Sequence, residues 1–243
     1  MNRREILKTY PLGQLPPGPE ADEFNKSVFC IACPVGDDIK FDWLAGFIGL
    51  AKGQFTLIGD NAVPVDLARN KMVDYYLVNH PECDYLLFWD LDTIPPPDGL
   101  YRLWKWNQPI VSGLYHQKIE PYYPLLMKKH AQSGTGFFAV IGWQDGELYE
   151  VDATGMGFCL IKREVFQIID PPWFAFTDIS EDFEFCQKAK RNGIRTFVDT
   201  NVKCRHIGDK LVGTDDYLKY RQALMDQGYI RERIQAARLP GTK

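Results

Sequence analysis

The chain has 243 residues, 45% hydrophobic and 25% charged, which is the composition of an ordinary globular protein with enough length to bury a core. A formal net charge of −4 argues against a broad nucleic-acid-binding surface, which needs clustered Lys and Arg. No run of eighteen or more apolar residues occurs, and the N-terminus "MNRREILKTY" has no apolar stretch behind its positive charge, so the sequence predicts neither a membrane span nor a secretory signal and suggests a cytoplasmic protein.

Residues 1–26 read as a Pro- and Gly-rich arm without sustained period, lying over the surface. From there strand-like and helix-like runs alternate. "SVFCIACPV" is a strand and "FDWLAGFIGLAKG" a helix stopped by Gly53; "QFTLIGD" is a strand and "VDLARNKMVDYYLVN" a helix. "YLLFWD" is a strand, "DGLYRLWKW" a short helix and "PIVSGLY" another strand. This alternation predicts an α/β fold, a mostly parallel sheet covered by helices on both faces, with ligands at the carboxyl ends of its strands. The second half predicts a smaller antiparallel portion. There, "GTGFFAVIGWQDGELYEV" reads as strands joined at "QDG", and the turn "TGMGF" leads into a strand and a short helix. A helix is expected from near Ser180 to Gly193, then two short strands, "RTFVDTN" and "VKCRHIG". The chain thus divides into the arm, a single domain at 27–210 and a more polar helical tail at 211–243, which could dock a partner or a membrane interface.

Six cysteines in a chain without an export signal predict free buried thiols. Cys30 and Cys33 have C-x-x-C spacing, but on a strand their side chains leave opposite faces. A zinc site would need a second pair, for which Cys204 and His206 are the nearest candidates.

Several groups carry chemistry. The apolar run "YLLFW" stops at Asp90, continues "LDT" through Asp92, and meets "IPPP", which holds the chain open. Two carboxylates one residue apart at a strand end can seat Mg2+ or Mn2+, although the same pair can cap local turn amides. In "DISEDFEFC", Asp178, Glu181, Asp182 and Glu184 crowd a helix start. Some of these acids offset the helix dipole, and one of them held in a cleft would serve as a general base. Arg69 and Asn70 lie near a helix start suited to an anion, or on a solvated face. Gly155 and Gly157 permit either close approach of a ligand or a bulge, and His206 gains interest only beside Asp92.

The order of these pieces resembles glycosyltransferases of the GT-A fold, most closely the inverting family 2 type with its short bacterial and viral members. The resemblance runs over residues 28–208 and rests on "ARNK", "LLFWDLDT", "GMGFCLIKREVF", "SEDFEFCQKAKRNG" and "CRHIG". It implies a single-domain, three-layer sandwich that moves a sugar from a nucleotide-sugar donor, a UDP-sugar by preference or a GDP-sugar, with Mn2+ or Mg2+. It implies that Asp92 binds the metal, that Asp90 holds the ribose or reaches the metal through water, and that His206 supplies a further ligand. Asp182 then matches the catalytic base, with Glu181 beside it, and Arg69 matches a residue near the donor diphosphate. Pro34 and Val35 match the region that meets the base, with Asp60 or Asn61 at the nucleoside. Gly155 and Met156 match the loop facing donor and acceptor. The implied acceptor is a glycan, a lipid-linked molecule or a protein. The first-strand end, "CPVGDD", departs from the family's small polar run, which leaves the base unspecified.

Two other classes share some of these features. Haloacid-dehalogenase-like phosphatases also place D-x-D after an apolar strand, but their motif stands near the start of the domain and the fifth position is Thr or Val, where this chain has Ile94. A non-catalytic saccharide-binding module would account for the aromatic residues of "LYHQKIEPYYPLL" and "PPWFAF".

Overall fold

The most apolar segment of the chain, Tyr85–Trp89, forms β3, and four of its five residues are buried. A strand apolar on both faces must be covered on both, and two distinct side-chain clusters do this. Leu86 and Phe88 pack into one cluster, Leu87 and Trp89 into the other. The computed structural model describes residues 15, 17–36, 38–130 and 136–226.

Around β3 lie β1 (Val28–Pro34), β2 (Gln54–Asp60), β5 (Ile110–Leu114), β8 (Leu148–Val151), β9 (Phe158–Lys162) and β10 (Thr196–Lys203). They form one sheet in the order β2-β1-β3-β9-β5-β10-β8. Strands β1, β2 and β3 are parallel, and β5 is parallel to β10; β9 runs antiparallel between β3 and β5, so five of the seven strands share one direction. Helices α3 (Val65–Asn79), α5 (Arg163–Ile168) and α6 (Glu181–Arg191) contribute to the cluster on one face. The other face is covered by α1 (Pro19–Lys26), α2 (Phe41–Gly49) and α4 (Gly99–Lys105). The result is the expected three-layer α/β sandwich.

Two small sheets complete it. Strand β4 (Thr93–Ile94) pairs with β11 (Arg205–Ile207), which pairs with β12 (Leu211–Val212); β6 (Met127–Lys129) pairs with β7 (Phe137–Ala139). Helix α7 (Thr214–Asp226) closes a third cluster through Tyr217 and Leu224.

Helix α6 ends as its sequence predicts. Gly193 takes φ +75°, Ile194 N–H donates to the Ala189 carbonyl at 3.0 Å, and Gly193 N–H donates to Lys190 at 3.0 Å, which is a Schellman closure. The six cysteines are free and buried, and Cys30 and Cys33 fall in opposite clusters, so the C-x-x-C spacing builds no site.

Three expectations need correction. The hairpin at "QDG" does not form: β7 pairs with β6, while β8 crosses to the edge of the main sheet and pairs with β10. Local turn chemistry could not foresee that β10 offers β8 a buried edge. The arm is not featureless either, because Pro19–Lys26 is helical and buries Phe24 against Phe29 and Tyr101. Its residues 1–14 and 16, and residues 227–243 of the tail, lie outside the described residues. Finally, "TFVDTNVK" is one strand, broken from β11 at Cys204. Among the described residues, no helix is long and apolar enough to cross a membrane.

Phe185 of α6 is fully buried and stacks on Phe174 at 4.6 Å. Phe185→Ala should lower the unfolding free energy by about 3–5 kcal/mol in urea titration. A loss under about 1 kcal/mol would contradict the packing of α6 on the sheet.

Candidate active site

The register of the sheet brings the candidate residues to one edge. Pro34 of β1 stands opposite Asp60 of β2, and Ala32 opposite Phe88 of β3. Continuing that parallel register two residues puts Asp90 level with Pro34 and Asp60, at the carboxyl ends of three neighbouring strands. Val35 N–H donates to the Asp60 carbonyl at 2.9 Å, and the Asp60 carboxylate accepts from Ala62 N–H at 2.8 Å and faces Lys71 at 3.8 Å. Leu57, Gly59, Asp60, Lys71, Met72 and Tyr75 line a recess of about 380 Å³ beside this edge.

After β3 the chain turns tightly. Thr93 N–H donates to the Asp90 carbonyl at 3.0 Å, and the Trp89 indole N–H reaches the Thr93 carbonyl at 2.8 Å. Trp89 itself is clamped by Trp43 at 5.2 Å and by the edge-on ring of Phe158 at 5.4 Å. The apolar strand end thus anchors the turn that carries both carboxylates. Thr93 is also the register partner of His206, and Ile207 N–H donates to the Asp92 carbonyl at 2.6 Å. The small sheet of β4 and β11 therefore sets His206 beside Asp92, the condition under which this histidine becomes interesting.

His206 Nε2 lies 3.4 Å from Asp92 Oδ1. Its Nδ1 is 2.8 Å from the His116 carbonyl, which can only accept, so Nδ1 carries a proton. Facing Asp92, Nε2 acts as a hydrogen-bond donor to the carboxylate; a cation bound there would take the place of that proton, with Nδ1 held on a backbone carbonyl as in metal-ligating histidines. The other oxygen of Asp92 receives Lys118 Nζ at 2.5 Å. Burial raises the Asp92 carboxyl, but hydrogen bonds from His206 and Lys118 outweigh it and hold the group at about 2.

Asp90 has a different setting. Its Oδ2 accepts from Arg69 Nη2 at 3.1 Å, and Arg69 Nε reaches Glu181 Oε1 at 3.4 Å. Arg69 is only 3% exposed. Burial opposes its charge, but Asp90 and Glu181 override burial and keep the guanidinium firmly protonated. Arg69 is thus an internal strut between α3, the end of β3 and the start of α6, rather than a side chain held out to a diphosphate. Glu181 belongs to the same strut. It is buried and turned to Arg69, while the next residue on the helix points elsewhere.

That next residue, Asp182, is half-buried and accepts a short hydrogen bond from Ser180 Oγ and one of 2.8 Å from Phe183 N–H. Burial lifts its carboxyl to about 6, helped by the neighbouring Glu181 charge.

The glycines of "TGMGF" serve a neighbour inside the chain. A Cβ on Gly155 would fall 1.9 Å from the Tyr115 hydroxyl, and one on Gly157 would fall 2.7 Å from Thr93 Oγ1. Tyr115 is buried, its hydroxyl accepts from Gly157 N–H at 2.9 Å, and its ring meets His206 edge-on at 5.4 Å. Met156 packs into the core at 1% exposure, so its side chain does not face a ligand, contrary to expectation.

Among the described residues no three His, Cys, Asp or Glu side chains converge on one point. The fit for a divalent cation is therefore two side chains, Asp92 and His206, with the remaining positions left to water and substrate oxygens, as Mg2+ and Mn2+ often accept. Asp90 does not join them as a third ligand; its Oδ1 is buried without a hydrogen-bond partner.

No protein-family model matches the sequence, and no curated protein matches it either. Solved structures do. A197 from STIV superposes with a TM-score of 0.59 at 21% identity, over 78% of this chain and 91% of that one. GalNAc-T7, solved with UDP, GalNAc and Mn2+, superposes with a TM-score of 0.54 at 11% identity, over 75% of this chain and 43% of that one. These likenesses establish the fold as GT-A-like.

If Arg69 is the strut, Arg69→Met should strand two carboxylates and lower the unfolding free energy by about 3–5 kcal/mol at pH 7 in urea titration. Arg69→Lys, unable to span both acids, should recover less than half. A loss below about 1 kcal/mol for Arg69→Met would contradict it.

Proposed function

We propose that the protein is a metal-dependent glycosyltransferase that moves a sugar from a nucleoside-diphosphate sugar to an acceptor hydroxyl. The observation that carries this is the approach of His206 Nε2 to Asp92 Oδ1 at 3.4 Å, in a GT-A-like fold, at the strand edge where such folds bind ligands. The solution of GalNAc-T7 with UDP, GalNAc and Mn2+ supports a UDP-sugar and Mn2+ as the first pair to test.

In this proposal Asp92 and His206 would hold the cation, and Pro34, Val35 and Asp60 would line the nucleoside. When bound, a divalent cation neutralises charge on the leaving diphosphate. Asp90, fixed by Arg69 and with 28% of its side chain exposed, would meet the ribose or a metal-bound water. Asp182 acts as the general base: its carboxylate takes the acceptor hydroxyl proton as the acceptor oxygen bonds to the anomeric carbon. The bond from that carbon to the diphosphate oxygen breaks, and its electron pair leaves with the diphosphate. A base on the face opposite the leaving group gives inversion. The acceptor belongs to the hydroxyl-bearing class: a glycan, a lipid-linked molecule or a protein.

A phosphatase with Asp90 as nucleophile fits less well. The fold is GT-A-like, and Asp90 Oδ2 is already bound to the Arg69 guanidinium while Oδ1 is buried, which leaves no free oxygen of Asp90 for in-line attack.

Calorimetry with UDP and GDP, with and without Mn2+, tests the proposal. One nucleotide should bind only with Mn2+, and Asp92→Ala should abolish that binding. Absence of nucleotide binding under every condition would overturn the proposal.

The base makes a second, independent prediction. Asp182 must be ionised to accept a proton and its carboxyl is lifted to about 6, so donor turnover, followed as release of the nucleoside diphosphate, should rise with pH and level off above about 6. Asp182→Asn should lower the rate by about 100–10,000-fold and remove that limb. A flat profile from pH 5 to 8, or a variant within about threefold of wild type, would contradict the role of Asp182.

A further inference from the structure

Lys118 is not used by the chemistry above, yet it makes the shortest contact to Asp92, at 2.5 Å. Its placement is built. The backbone on either side is closed by Gln117 N–H to the Tyr123 carbonyl at 2.8 Å, Tyr122 N–H to Ile119 at 2.8 Å, and Leu125 N–H to Tyr115 at 2.9 Å. Its methylene stem runs along Gly208, where an added Cβ would touch it at 3.5 Å. The same segment supplies the His116 carbonyl that orients His206. One loop therefore sets the tautomer of one metal-ligand candidate and places an ammonium on the other.

The charges then conflict in an informative way. Asp90 is already neutralised by Arg69, so Asp92 is the main anion facing a cation held with His206. Lys118 takes half of that carboxylate and would repel a dication at the other half. A diphosphate reverses the balance, because its oxygens attract both the dication and the ammonium. Lys118 is 40% exposed in its side chain, so its flexible stem has room to follow the phosphates.

We propose that Lys118 couples metal binding to diphosphate binding: it holds the cation off the nucleotide-free protein and joins it on the diphosphate once the donor is present. The diphosphate half of this rests on the transferase proposal; the competition between Lys118 and the cation does not. By reciprocity, what the diphosphate gains from the metal the metal gains from the diphosphate.

The test uses Lys118→Met, which keeps the stem and removes the charge, and Lys118→Arg, which keeps the charge. Mn2+ affinity without nucleotide is read from the electron paramagnetic resonance of free Mn2+, and UDP affinity at saturating Mn2+ by calorimetry. Lys118→Met should bind Mn2+ about tenfold more tightly than wild type without nucleotide and UDP about tenfold more weakly, each about 1.4 kcal/mol, while Lys118→Arg should stay close to wild type. Equal or weaker Mn2+ binding by Lys118→Met overturns the proposal, even if wild type binds UDP with Mn2+ and the transferase proposal survives. If Lys118→Met tightens Mn2+ but neither protein binds UDP, the transferase proposal fails and the competition between Lys118 and the cation stands.

Discussion

The site depends on a single buried guanidinium. Arg69 leaves α3, reaches Asp90 at the end of β3 with Nη2 and Glu181 at the start of α6 with Nε, and packs over the Phe88 ring at 5.1 Å. A buried charge is costly unless it is paired, and two carboxylates beside one another are equally unfavourable without a cation between them. The three groups make one another tolerable, and in doing so they fix the distance between the strand end that carries Asp90 and Asp92 and the helix that carries Asp182. The strand end that leads to Asp92 and the helix start that carries Asp182 are held on one strut.

The two ends are tuned in opposite directions by their surroundings. Asp92 is surrounded by donors, His206 and Lys118, and stays ionised well below neutral pH. Asp182 is desolvated with Glu181 beside it, and its carboxyl titrates near 6, where a base is most useful at physiological pH. In the proposed transferase, these opposite shifts would suit Asp92 to holding a cation and Asp182 to taking a proton. A saccharide-binding module would have no need of either.

Much of this was legible in the sequence, and the reason is local. Short apolar runs marked β1, β2 and β3, and the Ser180 to Gly193 punctuation marked α6 almost to the residue. Asp90, Asp92 and Asp182 could be singled out because each stands at an element end. What was not legible is what the sheet order decides. β9 inserts between β3 and β5, so the "TGMGF" glycines meet Tyr115, forty residues earlier, and no local pattern signals that contact. The same holds for Lys118, which reads as an ordinary exposed loop lysine until the β4–β11 pairing brings its neighbours to Asp92. Arg69 was noticed for the right chemistry, charge pairing, but its partners proved to be inside the chain. Sequence gave no cue to that, because Glu181 lies 112 positions away.

The central claim is that Asp92 and His206 are two ligands of one cation. Anomalous diffraction at the manganese absorption edge, from crystals soaked in Mn2+ with UDP, tests it most directly. A peak should lie within bonding distance of both Asp92 Oδ1 and His206 Nε2. A peak bound elsewhere, or none at these two atoms despite ordered UDP, would contradict it.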